Sequence, residues 1–294
     1  MRRLAAIVVL LILIIVVLLA AILLATCVQR KGRIMNEQAK AVSTPGVKNL
    51  TITVVYDNNP YKQELETEWG FAAFITGTEK TILFDTGGGR LLLDNMEKLA
   101  IKPANVDMVV LSHIHGDHTG GLSSFLEKNP NVTVYLPSVF PKKFKDNVRN
   151  SEAKIIEVNE TLQICENVYS TGQLGKLIKE QSLIIRTDKG LIIITGCAHP
   201  GIVNIVNTAK ALMGVPALRG PKDDILLVMG GFHLEWATKG GIEKIISAFK
   251  QLGVRYVGPC HCSGHKARSL FEKHFGSIYI NIGAGKVITI AELQ

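Results

Sequence analysis

The stretch LSHIHGDHTGG, residues 111–121, contains three histidines and one aspartate within six positions. Imidazole and carboxylate side chains hold Zn²⁺, Fe²⁺ and Mn²⁺ in proteins, and a catalytic site keeps one coordination position open for water. A cation held in this way lowers the pKa of its bound water from 15.7 towards about 7, so hydroxide forms at neutral pH. The same cation polarises the carbonyl or phosphoryl oxygen under attack. The stretch therefore predicts metal-dependent hydrolysis.

The spacing within this stretch divides it into two pairs of candidate ligands. His113 and His115 alternate along extended chain, so both side chains point the same way and can share one ion. Gly116 then lets the chain turn, and Asp117 and His118 can face a second ion nearby. Asp117 is also placed to orient the attacking water and to take up its proton.

Three more histidines lie in short motifs later in the chain. The motifs are TGCAHPG, GGFHL and GPCHCSGH, and each follows a run rich in β-branched residues. Such runs predict buried strands, so each histidine is expected at or just beyond a strand end: His199, His233 and His261. Ligand sites in α/β proteins collect at strand ends. We therefore expect these histidines to join the first motif in one site.

Alternating strands and helices must position these residues. Residues 50–58, 70–77 and 80–89 are predicted strands, and VDMVVLS is a buried strand that leads to His113. The segments RLLLDNMEKLA and LSSFLEKN have apolar residues at helical spacing. The second half predicts a hairpin at 182–196, then a strand, a helix and a strand, and a closing hairpin formed by SIYINIG and KVITI. This order indicates an α/β body built from two similar halves.

These motifs resemble those of the metallo-β-lactamase fold superfamily. LSHIHGDHTGG is similar to its metal motif H-x-H-x-D-H, and ILFDTGGG at 82–89 is similar to its early strand and Asp-x-Gly turn. TGCAHPGI, GGFHL and GPCHCSGH more closely resemble the branch of dihydropterin-ribofuranosylaminobenzene-phosphate synthase-like metallohydrolases. The resemblance covers nearly the whole body and implies a four-layer αββα sandwich with metal at the sheet edges. It leaves the substrate open, because this fold hosts many reactions.

The resemblance also implies ligands by position. It gives two ions the following residues: His113 and His115 for the first, and Asp117, His118 and His261 for the second. Asp85 would brace the metal loop through hydrogen bonds made behind the ligands.

Two departures from the superfamily pattern concern the number of metal ions. Residues 119–198 contain no histidine, although the superfamily usually supplies a ligand there. His199 is therefore the candidate third imidazole of the first site, with His233 in reserve. Cys197 stands where many relatives carry a bridging aspartate, and its thiol either ligates an ion or packs as a small apolar group. We expect one or two divalent ions per chain, zinc before manganese or iron.

Several residues near the motifs have two interpretations. His233 is a candidate proton donor or substrate contact, or else an ordinary histidine at a strand end. Cys260 and Cys262 flank His261, and they either form a zinc site of their own or, as we favour, pack behind the histidine. His274 fits an exposed helix and receives no role.

Two other functions compete with hydrolysis of an ester, a phosphoester or a related bond in a small molecule. Relatives of this fold with mononuclear iron oxidise thiols, and one iron per chain with oxygen uptake would indicate such an oxidoreductase. Di-iron relatives typically have a glutamate where His115 stands, which argues against that version. A membrane-tethered, non-enzymatic binding module would be favoured if His113→Ala preserved the biological effect.

Residues 4–25 form an unbroken run of 22 apolar residues. As a helix this run would reach about 33 Å at about 1.5 Å per residue, enough to cross a hydrocarbon core of about 30 Å. It predicts a transmembrane anchor at 1–29, followed by a linker at 30–49 and the catalytic domain at 50–294. A cleaved signal has a shorter apolar core, and lipidation at Cys27 is a further alternative.

The net charge of +8 is concentrated around this apolar run. The basic residues that flank it are Arg2, Arg3, Arg30, Lys31 and Arg33. Without them the chain carries 28 basic and 25 acidic residues, so no nucleic-acid-binding face is expected. Because the charges on the two sides nearly balance, the orientation stays open. A body outside the membrane is slightly favoured, although its free cysteines would suit a reducing compartment.

Overall fold

A computed structural model of the chain describes residues 46–213 and 225–293, which belong to one compact unit. In this part of the chain, the strands form two sheets. The first sheet contains β1 (Thr51–Asp57), β2 (Phe71–Thr76), β3 (Ile82–Phe84), β4 (Met108–Val110), β5 (Thr133–Pro137), β6 (Lys154–Val158) and β13 (Val287–Thr289). Its strand order is β13-β1-β2-β3-β4-β5-β6, antiparallel from β13 to β3 and parallel from β3 to β6.

The second sheet contains β7 (Leu162–Cys165), β8 (Val168–Ser170), β9 (Leu183–Thr187), β10 (Gly190–Thr195), β11 (Ile225–Gly231) and β12 (Tyr256–Cys260). Its order is β12-β11-β10-β9-β8-β7, and the pairs β10–β11 and β11–β12 are parallel. The strands β9 and β10 form the predicted hairpin, with Gly190 opposite Thr187.

Helices connect the parallel strands, as crossover connections require, and the last helix leads from β12 of the second sheet towards β13 of the first. They are α1 (Leu91–Lys98), α2 (Gly116–Thr119), α3 (Leu122–Lys128), α4 (Lys142–Asn150), α5 (Ile202–Met213), α6 (Lys239–Gln251) and α7 (Gly264–Phe275). Short 3₁₀ turns occur at Pro103–Asn105, His261–Ser263 and Gly276–Ile278.

Three hydrophobic cores define the layers of the fold. The central core lies between the two sheets and includes Phe84 of β3 and Ile194 of β10. A second core packs α5, α6 and α7 against the outer face of the second sheet through residues such as Phe271. A third core packs α1, α3 and α4 against the first sheet, with Phe125 at its centre. The α/β fold with two sheets is thus confirmed, and its layers run helix, sheet, sheet, helix.

Two predicted strand segments differ from the structure. The strand predicted at 80–89 ends at Phe84, because Asp85 adopts a left-handed backbone with φ 59° and turns the chain away. The predicted closing hairpin does not form. Instead, Ile280 N donates to Val257 O of β12, whereas β13 pairs with β1. The C-terminal chain therefore pairs first with β12 of the second sheet and then with β1 of the first sheet.

The prediction of a membrane localisation, with the body facing outward, is wrong on the evidence of the described residues. Among the described residues, none of the helices is long and apolar enough to span a bilayer. The longest helix there, α6, has 13 residues, or about 20 Å at about 1.5 Å per residue, against a hydrocarbon core of about 30 Å. The predicted transmembrane helix at 4–25, Cys27 and the linker up to residue 45 lie outside the described residues.

The second core is the basis of a stability prediction. Phe271 is fully buried, and its ring lies 5.6 Å from that of Phe232 and 5.7 Å from that of Phe249. Replacing it with Ala (Phe271→Ala) should lower the free energy of unfolding by about 3–5 kcal/mol, measured by urea denaturation. The control Leu177→Ala removes a side chain that is 96% exposed and should change stability by less than about 0.5 kcal/mol. Equal stability of the two variants would contradict the packing described.

Candidate metal centre

The candidate metal centre lies where strands of both sheets end. In the first sheet, β3 ends just before Asp85, and β4 ends shortly before the motif HIHGDH. In the second sheet, β10, β11 and β12 end one or two residues before Cys197, His233 and His261. Each predicted site residue therefore follows a strand, as the sequence indicated.

Several turns at these strand ends have an unusual backbone. Asp85, Ala198, His233 and His261 have φ values of 59°, 61°, 54° and 47°. Non-glycine residues rarely adopt this left-handed conformation, and it costs of order 1–3 kcal/mol at each position. The surrounding fold must stabilise these turns, and three of the four residues, Asp85, His233 and His261, are predicted site residues.

The first group of candidate ligands contains His113, His115 and His199. His113 Nε2 lies 3.1 Å from His115 Nδ1 and 3.3 Å from His199 Nε2. Two nitrogens bound tetrahedrally to one zinc at about 2.0–2.1 Å lie about 3.3 Å apart. These separations therefore fit ligands of one shared cation, and His199 takes the position expected of the third imidazole.

The second group contains Asp117, His118, Cys197 and His261. His118 Nε2 lies 3.1 Å from Cys197 Sγ and 3.2 Å from His261 Nε2, and His261 Nε2 lies 3.2 Å from Asp117 Oδ2. The Cys197 thiol thus points at the histidines of this group. Cys197 is also buried, and ligation by its thiol stays a prediction.

Asp85 determines which ring nitrogen of His113 carries a proton. The Ser112 hydroxyl donates its single proton to Asp85 Oδ2 at 2.7 Å. Ser112 Oγ can then only accept from His113 Nδ1, which lies 2.9 Å away. His113 Nε2 is left without a proton and faces the first group.

The same reasoning applies to two histidines of the second group. His118 Nδ1 donates to Asp85 Oδ2 at 2.7 Å, and His261 Nδ1 donates to Asn58 Oδ1 at 2.9 Å. While both rings are neutral, the Nε2 atoms of His118 and His261 therefore carry no proton, although they face each other at 3.2 Å. Two nitrogen lone pairs at this distance repel unless a proton or a metal cation lies between them. The donor set therefore fits a divalent metal ion.

The charge states of the ligands agree with metal binding. Burial lowers the pKa of His113, and the neighbouring histidines lower it further. Burial, together with His233 and His115, lowers the pKa of His199 to about 4. Burial also acts to lower the pKa of His118, but the charge and hydrogen bond of Asp85 outweigh it and raise the pKa. A proton therefore competes with a cation most strongly at His118.

Asp117 is the carboxylate at the junction of the two groups. Burial acts to raise its pKa, but the adjacent rings of His261 and His118 outweigh this and lower it. The side chain is 21% exposed, so one side of the carboxylate remains open. Asp117 is thus ionised and can accept a proton.

Sequence reasoning missed Glu180, which is completely buried beside the turn that carries Cys197 and His199. Its Oε1 accepts from Cys197 N at 3.0 Å and its Oε2 from His199 N at 2.8 Å. Burial raises the pKa of Glu180, whereas the backbone donors of His199 and Ala198 lower it. The available signal was an acidic residue three positions before the apolar strand β9, but nothing in the spacing linked it to TGCAHPG.

The residues that support His261 were also missed. Asp57 lies at the end of β1, and its Oδ2 accepts from His261 N at 3.2 Å. Asn58 holds the ring, and the indole of Trp69 lies 4.8 Å from it. These residues precede His261 by about two hundred positions, so only the folded chain brings them together.

The structure separates the two cysteines beside His261. Cys260 packs in the central core between the sheets. Cys262, by contrast, forms a third group with Cys197 and His233, whose ligand atoms all lie within 4.8 Å of one another. The ring of His233 also lies 4.5 Å from that of His199. The prediction that both cysteines pack behind His261 therefore describes Cys260 but not Cys262.

A cavity of about 350 Å³ opens beside these groups and is lined by Trp69, His233, Glu235, Trp236 and Cys262. Trp69 is 53% exposed and Trp236 is 93% exposed. Large aromatic side chains exposed next to a candidate metal centre offer flat surfaces to an entering molecule. The size of the cavity fits a small-molecule ligand.

Comparisons with known proteins agree with this architecture. Residues 70–203 match the family described as the metallo-beta-lactamase superfamily. The 7,8-dihydropterin-6-methyl-4-(beta-D-ribofuranosyl)-aminobenzene-5'-phosphate synthase of Methanocaldococcus jannaschii is 28% identical over 292 residues, covering 82% of this chain and 97% of that protein. A solved metal-dependent hydrolase of the beta-lactamase superfamily is 29% identical, with a TM-score of 0.67 over 81% of this chain and 98% of its own. The metallo-beta-lactamase fold protein YhfI from Bacillus subtilis has a TM-score of 0.60 at 13% identity, covers 82% of this chain and 100% of its own, and shares the fold.

The role of Asp85 can be tested with Asp85→Asn. The amide cannot accept from both Ser112 and His118, and its NH₂ group would force the His118 proton onto Nε2, inside the second group. Zinc affinity should fall by about 10–100-fold, measured by competition with a chromophoric chelator. Asp94→Asn, on the exposed face of α1, is the control. Unchanged affinity in Asp85→Asn would rule out this account of the proton positions.

Glu180→Gln tests the support of the turn at Cys197. The substitution keeps the shape but places a donor against backbone N–H groups. The free energy of unfolding should fall by about 1–3 kcal/mol in urea denaturation, and zinc affinity should fall with it. Glu127→Gln, an exposed position in α3, should change neither. A Glu180→Gln protein as stable as the parent would show that these hydrogen bonds do not stabilise the turn.

Proposed function

We propose that this enzyme is a metal-dependent hydrolase of a small molecule and a member of the metallo-β-lactamase superfamily, whose model matches residues 70–203. The bond broken is an ester, a phosphoester or a related bond. The observation that carries the proposal is the convergence of two adjoining groups of candidate ligands at the sheet edges. Asp85 supports this arrangement, because its bonds with Ser112 and His118 leave the Nε2 atoms of His113 and His118 facing the ligand groups.

We assign the ligands as follows: His113, His115 and His199 for one ion, and Asp117, His118, Cys197 and His261 for a second. A divalent cation bound there supplies Lewis acidity and makes hydroxide available from water at neutral pH. The chain itself orients the reacting water through Asp117, whose ionised carboxylate accepts a proton at Oδ2. Asp85, Ser112 and Asn58 keep the ring nitrogens correctly protonated throughout.

We propose zinc as the metal, with one or two ions in these groups. Imidazole nitrogen suits zinc, iron and manganese alike, but a thiolate favours zinc over the harder manganese ion. The short distance from Cys197 Sγ to His118 Nε2 supports this preference.

The substrate is proposed to carry a flat ring near the bond that is broken. The archaeal relative is named for a dihydropterin aminobenzene phosphate, and the cavity beside the candidate ligands is lined by Trp69 and Trp236. Aromatic faces of this kind stack on planar groups. His233, which lies on the same cavity wall, is proposed as a substrate contact or as a proton donor to the leaving group.

His113→Ala tests the hydrolase proposal. The zinc-loaded protein should hydrolyse at least one member of a panel of chromogenic carboxylic esters, phosphomonoesters and phosphodiesters. His113→Ala should reduce that turnover by more than about a hundredfold, because loss of a ligand exceeds the usual effect of losing a residue behind one. Chelation should abolish turnover and added zinc should restore it. His274→Ala, on the exposed face of α7, should retain full activity.

Two outcomes would contradict the proposal. Full turnover in His113→Ala would separate catalysis from these ligands. One iron per chain with oxygen uptake, and no hydrolysis by the zinc-loaded protein, would indicate an oxidoreductase instead.

A further inference from the structure

The third group, formed by Cys197, His233 and Cys262, is not explained by the two proposed ions. Its two sulfurs and one ring nitrogen lie within 4.8 Å of one another. Both thiols are free, and they are only 3% and 5% exposed, whereas His233 is exposed to the cavity. We propose that this group binds a further, thiophilic divalent cation. This proposal goes beyond the hydrolase proposal and depends on sulfur ligands that hydrolysis does not require.

The fold brings the two thiols together across β11. Gly231 ends this strand, between the turns that follow β10 and β12. A Cβ atom at Gly231 would lie 2.7 Å from Cys262 Sγ, so the missing side chain leaves the room that the thiol occupies. The Cys262 thiol also lies 3.6 Å from the Cys197 carbonyl. The glycine therefore allows side chains from two non-adjacent strands to meet.

The turn that follows β11 positions His233. Its left-handed backbone, with φ 54°, reverses the chain directly after β11. Leu234 N and Glu235 N then donate to Cys262 O at 3.1 Å and 3.2 Å. These bonds tie the His233 segment to the segment that carries Cys262, so the imidazole and the thiol are positioned as one unit.

The chemistry of the group predicts which ion it binds. Two thiolates and one imidazole select zinc or a similarly soft cation over magnesium or manganese. Three protein ligands of this type leave a fourth position open, as at the catalytic zinc of alcohol dehydrogenase. Here the open position faces the cavity of about 350 Å³, which His233 and Cys262 line. The ion would therefore act as a Lewis acid that contacts a ligand entering the cavity.

Cys197 belongs to both the second and the third group. Its sulfur lies 3.1 Å from His118 Nε2 and also within the third group, so Cys197 would be a ligand shared by both groups. His233 serves as a ligand when the third ion is bound, and this role replaces that of a proton donor.

The test measures zinc per chain in the full-length protein, by plasma mass spectrometry after loading and gel filtration. Cys262→Ser and His233→Ala should each lose one zinc ion per chain relative to the unsubstituted protein. Cys260→Ser is the matched control, because Cys260 is fully buried in the central core and lies outside the ligand groups found among the described residues. It should keep the full zinc content.

An unchanged zinc content in Cys262→Ser would overturn the proposal. So would His233→Ala with full zinc content and lost turnover, because that result assigns His233 as the proton donor. These readouts are independent of the hydrolase proposal, which fails instead if the fully loaded protein hydrolyses nothing.

A second measurement needs no substitution, so it tests the third site even if a variant fails to fold. X-ray absorption at the zinc edge counts sulfur neighbours at about 2.3 Å. A shared Cys197 contributes two zinc–sulfur contacts and Cys262 one, so multiplying the count by the zinc content should give about three contacts per chain, against about one if Cys197 alone ligates one ion. The lower count would overturn the third site.

Discussion

The buried carboxylate of Asp85 is the group on which the candidate metal centre depends. An ionised carboxylate away from water is costly unless donors satisfy it. Here it accepts from Ser112 N at 2.6 Å, from the Ser112 hydroxyl and from His118 Nδ1. These three bonds both stabilise the charge and set the proton positions of two histidines. One carboxylate therefore prepares a nitrogen in each of the two proposed metal groups.

The second constraint is that the ligands come from both sheets. His113, His115, Asp117 and His118 follow strands of the first sheet, whereas Cys197, His199 and His261 follow strands of the second. The central core holds the two sheets face to face, so the stability of that core and the ligand geometry are coupled. Glu180 extends this coupling, since it holds the backbone of the turn that carries Cys197.

The exposure of the candidate site residues increases from the interior of the protein to its surface. His113 and His118 are fully buried, Asp117 is partly open, and His233 faces the cavity between the exposed rings of Trp69 and Trp236. Cations in the interior would be held by groups with fixed protons, while a substrate would meet the more accessible side chains. The cysteines follow the same order, because Cys260 is part of the core and Cys262 lines the cavity.

The sequence by itself determined the metal motif, the strands that precede each histidine, and the two-sheet α/β fold. These features depend on local spacing, since alternation and helical periodicity are properties of neighbouring residues. Tertiary structure alone decided that Cys197 points towards His118, that Cys262 and Cys260 face different environments, and that the C-terminal segments contact separate sheets rather than each other. It also showed that Glu180, Asp57 and Asn58 support the candidate ligands through hydrogen bonds. Their roles depend on contacts between residues that are distant in the chain, which spacing along a single sequence does not encode.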